Sequence, residues 1–167
     1  MYRKTWMQVN LDKIERNLIK LKDICQKKII AVLKADAYGC GDIHVARAVL
    51  EAGAEMIAVS SLDEALVLRN EGYEGKLLIL GATEASDIPV LIKQGISCTA
   101  YSNEWVDSAI QQNCEGLHIH LKMDTGMSRI GFRTIDELHL AFDKLQAARC
   151  NMEGIFTHFC CADSDLE

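Results

Sequence analysis

IIAVLKADAYGCGDIHVARAVLEAGA, residues 29–54, decides the fold class. It opens on a short β-branched run ending at Lys34, crosses a small-residue loop with Gly39 and Gly41, and enters an apolar-periodic segment with Asp42 as N-cap and Gly53 as stop. This order describes a strand, a loop and a helix. Upstream, an apolar segment from Trp6 to Asn10 leads into LDKIERNLIKLKDIC, where Leu11, Ile14, Leu18, Leu21 and Ile24 form one helical stripe. Downstream the alternation continues through MIAVS (56–60), LDEALVLRNEG (62–72), KLLILG (76–81), EASDIPVLIKQG (84–95), SCTAY (97–101) and NEWVDSAIQQN (103–113). HIHLKMD (118–124), IDELHLAFDKLQAARC (135–150) and MEGIFTH (152–158) complete it.

Six short, near-continuously apolar strands with five helices between them predict a parallel sheet covered on both faces and joined by right-handed crossovers. A doubly wound open sheet and a (β/α)8 barrel both satisfy that pattern. A whole barrel needs about 250 residues, against 167 here, yet the chain stops at ADSDLE directly after its sixth strand, without the helix that should cover it. The expectation is an α/β, (β/α)8 TIM-type barrel truncated after about six strands, residues 1–167 forming one incomplete domain.

With 18 Lys and Arg against 24 Asp and Glu, a net charge of −6, 49% hydrophobic residues and one proline, the chain reads as a soluble globular domain. It has no basic block to neutralise a run of phosphates, so nucleic acid and anionic membranes are poor partners for it, whereas a small anionic ligand is allowed. No apolar run approaches the roughly 20 residues of a membrane span, and MYRKTWMQVNLDK lacks the apolar middle of a signal peptide. The reading is cytoplasmic. Seven cysteines without a C-x-x-C pair read as reduced, mostly buried thiols rather than zinc ligands, and no metal is expected.

Ligands of such sheets sit at the carboxyl ends of the strands. Lys34 ends the first strand, Lys122 and Asp124 the fifth and His158 the sixth, and Arg129 follows in the loop after the fifth, so these groups are expected to share one mouth. Period-two alternation sets His118, His120, Lys122 and Asp124 on one face of their strand, toward the interior, and Ile119, Leu121 and Met123 on the other. A desolvated lysine has a lowered ammonium pKa and suits Schiff-base chemistry, and the loop from Ala35 to Gly41 reads as a place where backbone N–H groups approach a phosphate.

AVLKADAYGCG (31–41) closely resembles the cofactor-lysine segment, commonly AVVKANAYGHG, of the fold-type III, pyridoxal-phosphate-dependent alanine racemases. HLKMDTGMSRIGF (120–132) resembles their second signature, GIFTHFCCAD (154–163) their THF-containing segment, and VSSLDEALVLRNEG (59–72) their second βα unit. The likeness covers the whole chain, about the amino-terminal half in family terms, and implies a (β/α)8 barrel followed by a carboxy-terminal β domain, absent here. It further implies a cytoplasmic homodimer with active sites shared between subunits, interconverting L- and D-alanine for peptidoglycan precursors. Departures are Asp36 for Asn, Cys40 for His and Ser128 for Gly; Cys40 and Cys160 lie near the implied cofactor, which predicts some sensitivity to oxidation or alkylation.

By the resemblance, Lys34 is the Schiff-base lysine for pyridoxal 5'-phosphate and one of two catalytic bases, and Tyr38 reaches the cofactor phosphate. Arg129 stands beside the cofactor phenolate and the substrate carboxylate, Lys122 matches a lysine carbamylated in many members that pins that arginine, and His158 packs near the cofactor ring. Packing alone is the alternative role for Tyr38 and His158. The opposite-face base, a tyrosine, has no match among Tyr2, Tyr38, Tyr73 and Tyr101, so residues 1–167 alone are expected to be inactive. Three other readings remain. The first is a serine/alanine or broad-specificity racemase with the same signatures. The second is a non-enzymatic pyridoxal-phosphate barrel protein, which would lack a DTGMSR-like segment. The third is a metal-dependent hydrolase built on His118, His120, Lys122 and His158, disfavoured because the first two begin their strand.

Overall fold

The computed structural model describes residues 4–162, and its contacts divide into two compact units, one up to Gly75 and one from Lys76 onward. Tyr2 and Asp163, both named in the sequence reading, lie outside the described residues.

In the first unit, α1 (Leu11–Cys25) starts at Asn10, whose side chain accepts the Lys13 N–H at 3.0 Å, and ends on Gln26 in a left-handed cap. Strand β1 (Ile30–Val32) pairs in parallel with β2 (Met56–Val59), Ile30 opposite Met56 and Val32 opposite Ala58. Between them lies α2 (Asp42–Glu51), which buries Val45, Ala46, Ala48 and Val49. All four residues of β2 are buried, as in a strand covered on both faces. Helix α3 (Leu62–Asn70) follows on a Ser61 cap and buries Ala65 and Leu68.

Two expectations are corrected here. Gly41, not Asp42, is the N-cap of α2; Asp42 is its first helical residue and turns its carboxylate onto the Ile43 N–H at 2.7 Å. The apolar stripe of α1 is buried only at Leu18, and Leu21 and Ile24 are exposed, although α1 packs on α2 within this unit.

In the second unit β3 (Leu77–Ile79) is fully buried and is bridged in parallel to the next strand at Leu78 and Ser97. After α4 (Ile88–Gln94), β4 (Cys98–Ala100), α5 (Asn103–Gln111), β5 (His118–Lys122), α6 (Ile135–Ala147) and β6 (Asn151–Phe156), the sheet order is β4-β5-β6, all parallel. Helix α6 begins with a capping box between Thr134 and Glu137, and the Trp105 indole of α5 donates to the Thr83 carbonyl at 2.7 Å. The thiols are less buried than expected. Cys98 and Cys114 are buried, but Cys25, at a helix end, and Cys160 and Cys161, in the loop after β6, are exposed.

A register shift marks the β5–β6 pair. Ile119 faces Met152 but His120 faces Gly154, leaving Glu153 as the extra residue of a β-bulge. The bulge gives Glu153 a polar setting at the start of β6. Its carboxylate takes the Ser97 hydroxyl at 2.5 Å, meets His118 Nδ1 at 3.0 Å and lies 3.3 Å from His120 Nε2, the last outside good hydrogen-bond geometry. Gly154 is small because the His120 ring lies against it: a Cβ there would stand 3.1 Å from the imidazole.

Burial lowers the pKa of His120, and Lys76 adds to the effect, while Glu153 opposes it. In Glu153 burial raises the carboxyl, but the bonds from Ser97 and His118 outweigh it and hold the group below its ordinary range. For His120 the unfolded chain binds a proton where the folded chain does not, so its contribution to stability is full above the ordinary histidine pKa and is lost as pH falls below it. The urea midpoint should therefore drop between about pH 7 and about pH 5, and His120→Gln should flatten that slope; a variant as pH-dependent as the parent would contradict the assignment.

Candidate active site

Lys34 follows β1 by two residues and is exposed. From Ala35 to Tyr38 the backbone holds φ between 51° and 57° with ψ between 34° and 54°, so Lys34–Gly39 is a left-handed helical turn of four consecutive residues with side chains. Such a turn costs roughly 1–2 kcal/mol per residue, and strain of this kind is kept where the surroundings over-determine it. Here the surroundings do so. The Ala37 N–H donates to the Leu33 carbonyl at 3.0 Å, Gly41 to the Asp36 carbonyl at 3.0 Å, and Asp42 to Asp36 Oδ1 at 2.8 Å. Ala37 is buried, and the Ala35 N–H donates to Glu64 Oε1 of α3 at 2.8 Å.

This geometry narrows the phosphate cradle expected at residues 35–41. The N–H groups of Ala35, Ala37, Cys40 and Gly41 already have acceptors inside the chain. What the turn presents is side chains. Lys34 Nζ lies 5.8 Å from the centre of the Tyr38 ring, and Tyr38 is 64% exposed.

In the second unit the end of β5 carries the other group of residues. Lys122 is buried at 3% exposure with its ammonium 5.6 Å from the Phe156 ring centre. Burial lowers its pKa, Arg129 lowers it further, and Asp124 works against both. Asp124 Oδ1 accepts the Gly126 and Ser128 N–H groups at 3.1 and 2.9 Å, a turn that swings the chain back toward β5 and brings Arg129 into the electrostatic reach of Lys122. The return is sealed by a short pairing of Phe132 with Met123, in which Phe132 donates to the Lys122 carbonyl and Asp124 to the Phe132 carbonyl, each at 2.8 Å. Gly131, at φ +131°, is required there: a Cβ would stand 2.8 Å from the Asp124 nitrogen and 2.9 Å from the Lys122 oxygen, both backbone atoms.

The same turn is tied to the loop that carries His158. Thr157 Oγ1 donates to the Met123 carbonyl at 2.8 Å and lies 2.7 Å from Thr125 Oγ1, which is therefore the donor of that bond. His158, next in sequence, is exposed.

The structure thus groups Lys34 with Tyr38 on one turn, and Lys122 with Asp124 and Arg129 at the end of β5, beside the loop of His158. Sequence reasoning missed Glu64, Thr157, Ser97 and Glu153. Glu64 stood inside a quoted motif without a role, and Glu153 was readable only as a charge in an otherwise apolar strand. Neither pattern carries its partner 29 or more residues away.

Comparison with known proteins gives the family of the chain. Residues 9–167 match the family described as alanine racemase, N-terminal domain. The chain is 40% identical to the alanine racemase of Halalkalibacterium halodurans over 97% of its own length and 41% identical to that of Geobacillus stearothermophilus over 97%, covering 43% of each relative. Among solved structures, alanine racemase from Bacillus anthracis with bound L-Ala-P superposes with a TM-score of 0.90 at 39% identity, over 99% of this chain and 44% of that one. Histidine racemase from Leuconostoc mesenteroides gives 0.86 at 30% identity, over 93% and 43%. The chain spans less than half the length of these relatives. Its parallel strand–helix units are those of the family's barrel portion, and the chain belongs to the alanine racemase N-terminal domain family.

Proposed function

We propose that the protein is a pyridoxal-phosphate-dependent amino-acid racemase that interconverts L- and D-alanine. The observation that carries this reading is the exposed Lys34 on a left-handed turn at the end of β1, in a chain of this family. The donor set fits the cofactor. An amine with no carboxylate partner among the described residues suits an aldehyde, and the phenol of Tyr38 and the guanidinium of Arg129 suit its anionic groups. When bound, pyridoxal phosphate withdraws electrons from the α-carbon of an amino acid joined to it and so acidifies the α-hydrogen.

In this reading Lys34 holds the cofactor and, once released, moves the α-proton at its Nζ on one face of the substrate. Arg129 binds and orients the substrate carboxylate with its planar, always charged fork. Tyr38 donates to the cofactor phosphate, and His158 stands by its ring. Lys122 supports Arg129. A buried amine of lowered basicity beside a guanidinium reacts with carbon dioxide through its neutral form, losing one proton and gaining an anionic carbamate, which turns a repulsion between two cations into an attraction.

The opposite-face base, the homodimer partner and the peptidoglycan role belong to the same proposal and draw on residues beyond this chain. No helix among the described residues is long and apolar enough to cross a membrane, and a cytoplasmic location is proposed. The barrel portion does not choose the substrate by itself, since a histidine racemase shares it; alanine is favoured by the curated relatives. The hydrolase reading stays disfavoured, because His118 and His120 begin their strand, away from the end where ligands of such sheets sit.

Borohydride reduction of the protein with pyridoxal phosphate, followed by peptide mapping, should find the cofactor on Lys34; label on another lysine would overturn the assignment. Arg129→Ala in the complete protein should lower kcat/KM for alanine a hundredfold or more, about 3 kcal/mol. A loss under about threefold, near 0.65 kcal/mol, would exclude its role.

A further inference from the structure

The left-handed turn is anchored from outside by one side chain. Glu64, in the first turn of α3, accepts the Ala35 N–H on Oε1 at 2.8 Å and the Ser60 N–H and hydroxyl on Oε2 at 2.7 and 2.8 Å. Burial raises its pKa, yet these donors together hold the carboxyl below its ordinary range, so the group is a carboxylate at neutral pH. The Oε2 side of this arrangement belongs to the local geometry of the helix start, where Ser61 also caps the Glu64 N–H. The Oε1 side does not: Ala35 is 29 residues away, and helix capping has no use for its N–H.

Ala35 is bonded directly to Lys34, and its N–H lies in the peptide plane that joins the two. It is also the first residue of the left-handed run. Fixing that plane fixes the entry angle of the turn and the direction in which the Lys34 side chain leaves the backbone, next to the Tyr38 ring. Without an acceptor at Glu64 the peptide would be free to rotate toward right-handed angles, which Ala35, Asp36, Ala37 and Tyr38 all prefer.

We propose that Glu64 is a positioning residue, whose Oε1 pins the Lys34–Ala35 peptide and so aims the Lys34 amine at the aldehyde carbon of its cofactor. This rests on the reading of Lys34 as the pyridoxal-phosphate lysine and adds to it a residue that touches neither cofactor nor substrate. The step it assists joins the lysine nitrogen to the aldehyde carbon as a C=N bond, with the aldehyde oxygen leaving as water.

The test uses the complete protein stripped of cofactor. Added pyridoxal phosphate is followed by absorbance for the rate and equilibrium of capture, and thermal unfolding of the cofactor-free protein is recorded in parallel. Glu64→Ala should slow capture at least tenfold. Glu64→Gln, which keeps an oxygen for Ala35 but turns an amide toward Ser60, should slow it two- to fivefold. Ser61→Ala removes a bond from the same helix start without touching Ala35; it should lower the unfolding temperature and leave capture within twofold of the parent. Capture by Glu64→Ala at the parental rate overturns the proposal, as does an equal slowing in Ser61→Ala. If Glu64→Ala does not fold, a parental rate in Glu64→Gln overturns it. Failure of the parent itself to capture the cofactor on Lys34 overturns the reading of the site and this inference with it, whereas parental capture unaffected by Glu64 removes only the positioning role.

Discussion

Four consecutive residues with side chains, Ala35 to Tyr38, hold left-handed backbone angles, and the whole account of Lys34 depends on that constraint. At roughly 1–2 kcal/mol per residue the turn costs about 4–8 kcal/mol, comparable to the net stability of a small domain. Packing of Ala37, the ladder from Leu33 through Asp36 to Asp42, and the carboxylate of Glu64 offset it. The gain is geometric. Lys34 and Tyr38, four residues apart, would be neighbours on a helix of either hand; what the inverted hand sets is the direction in which the amine and the phenol leave the strand end.

The second unit solves a related problem by other means. Lys122 must be buried, yet Arg129 must return to it from seven residues away. The chain does this with an Asp124-centred turn, a two-bond pairing of Phe132 with Met123, and a glycine at 131 that lets backbone approach backbone. Thr157 ties the start of that turn to the loop after β6. Each part is a contact within the protein, so the arrangement does not need the ligand to hold its shape, and binding then costs less ordering.

Much of this was legible in the sequence because it is periodic. The buried runs MIAV and LLI and the stripe of α2 follow from burial on both faces or on one, and the shared face of His118 and His120 follows from strand alternation, as their common contact with Glu153 shows. The ends of strands β1 and β5 could be located, and with them Lys34 and Lys122. Non-periodic features could not. Nothing in Ala-Asp-Ala-Tyr favours positive φ except the aspartate, so the left-handed turn is imposed by tertiary contacts. The bulge at Glu153 depends on the His120 ring needing the space above Gly154, a matter of volume across two strands. The exposed Leu21 and Ile24 show the opposite failure, an apolar stripe whose period is correct but whose burial the period alone does not guarantee.

The central claim is that the Lys34 turn is built before the cofactor arrives. A high-resolution crystal structure of the complete, cofactor-free protein tests it most directly. The account predicts φ near +50° to +60° from Ala35 to Tyr38 and an intact bond from the Ala35 N–H to Glu64, as in the angles described here. Right-handed angles at these four residues in the cofactor-free protein, or a turn that takes its left-handed form only once pyridoxal phosphate is bound, would contradict it.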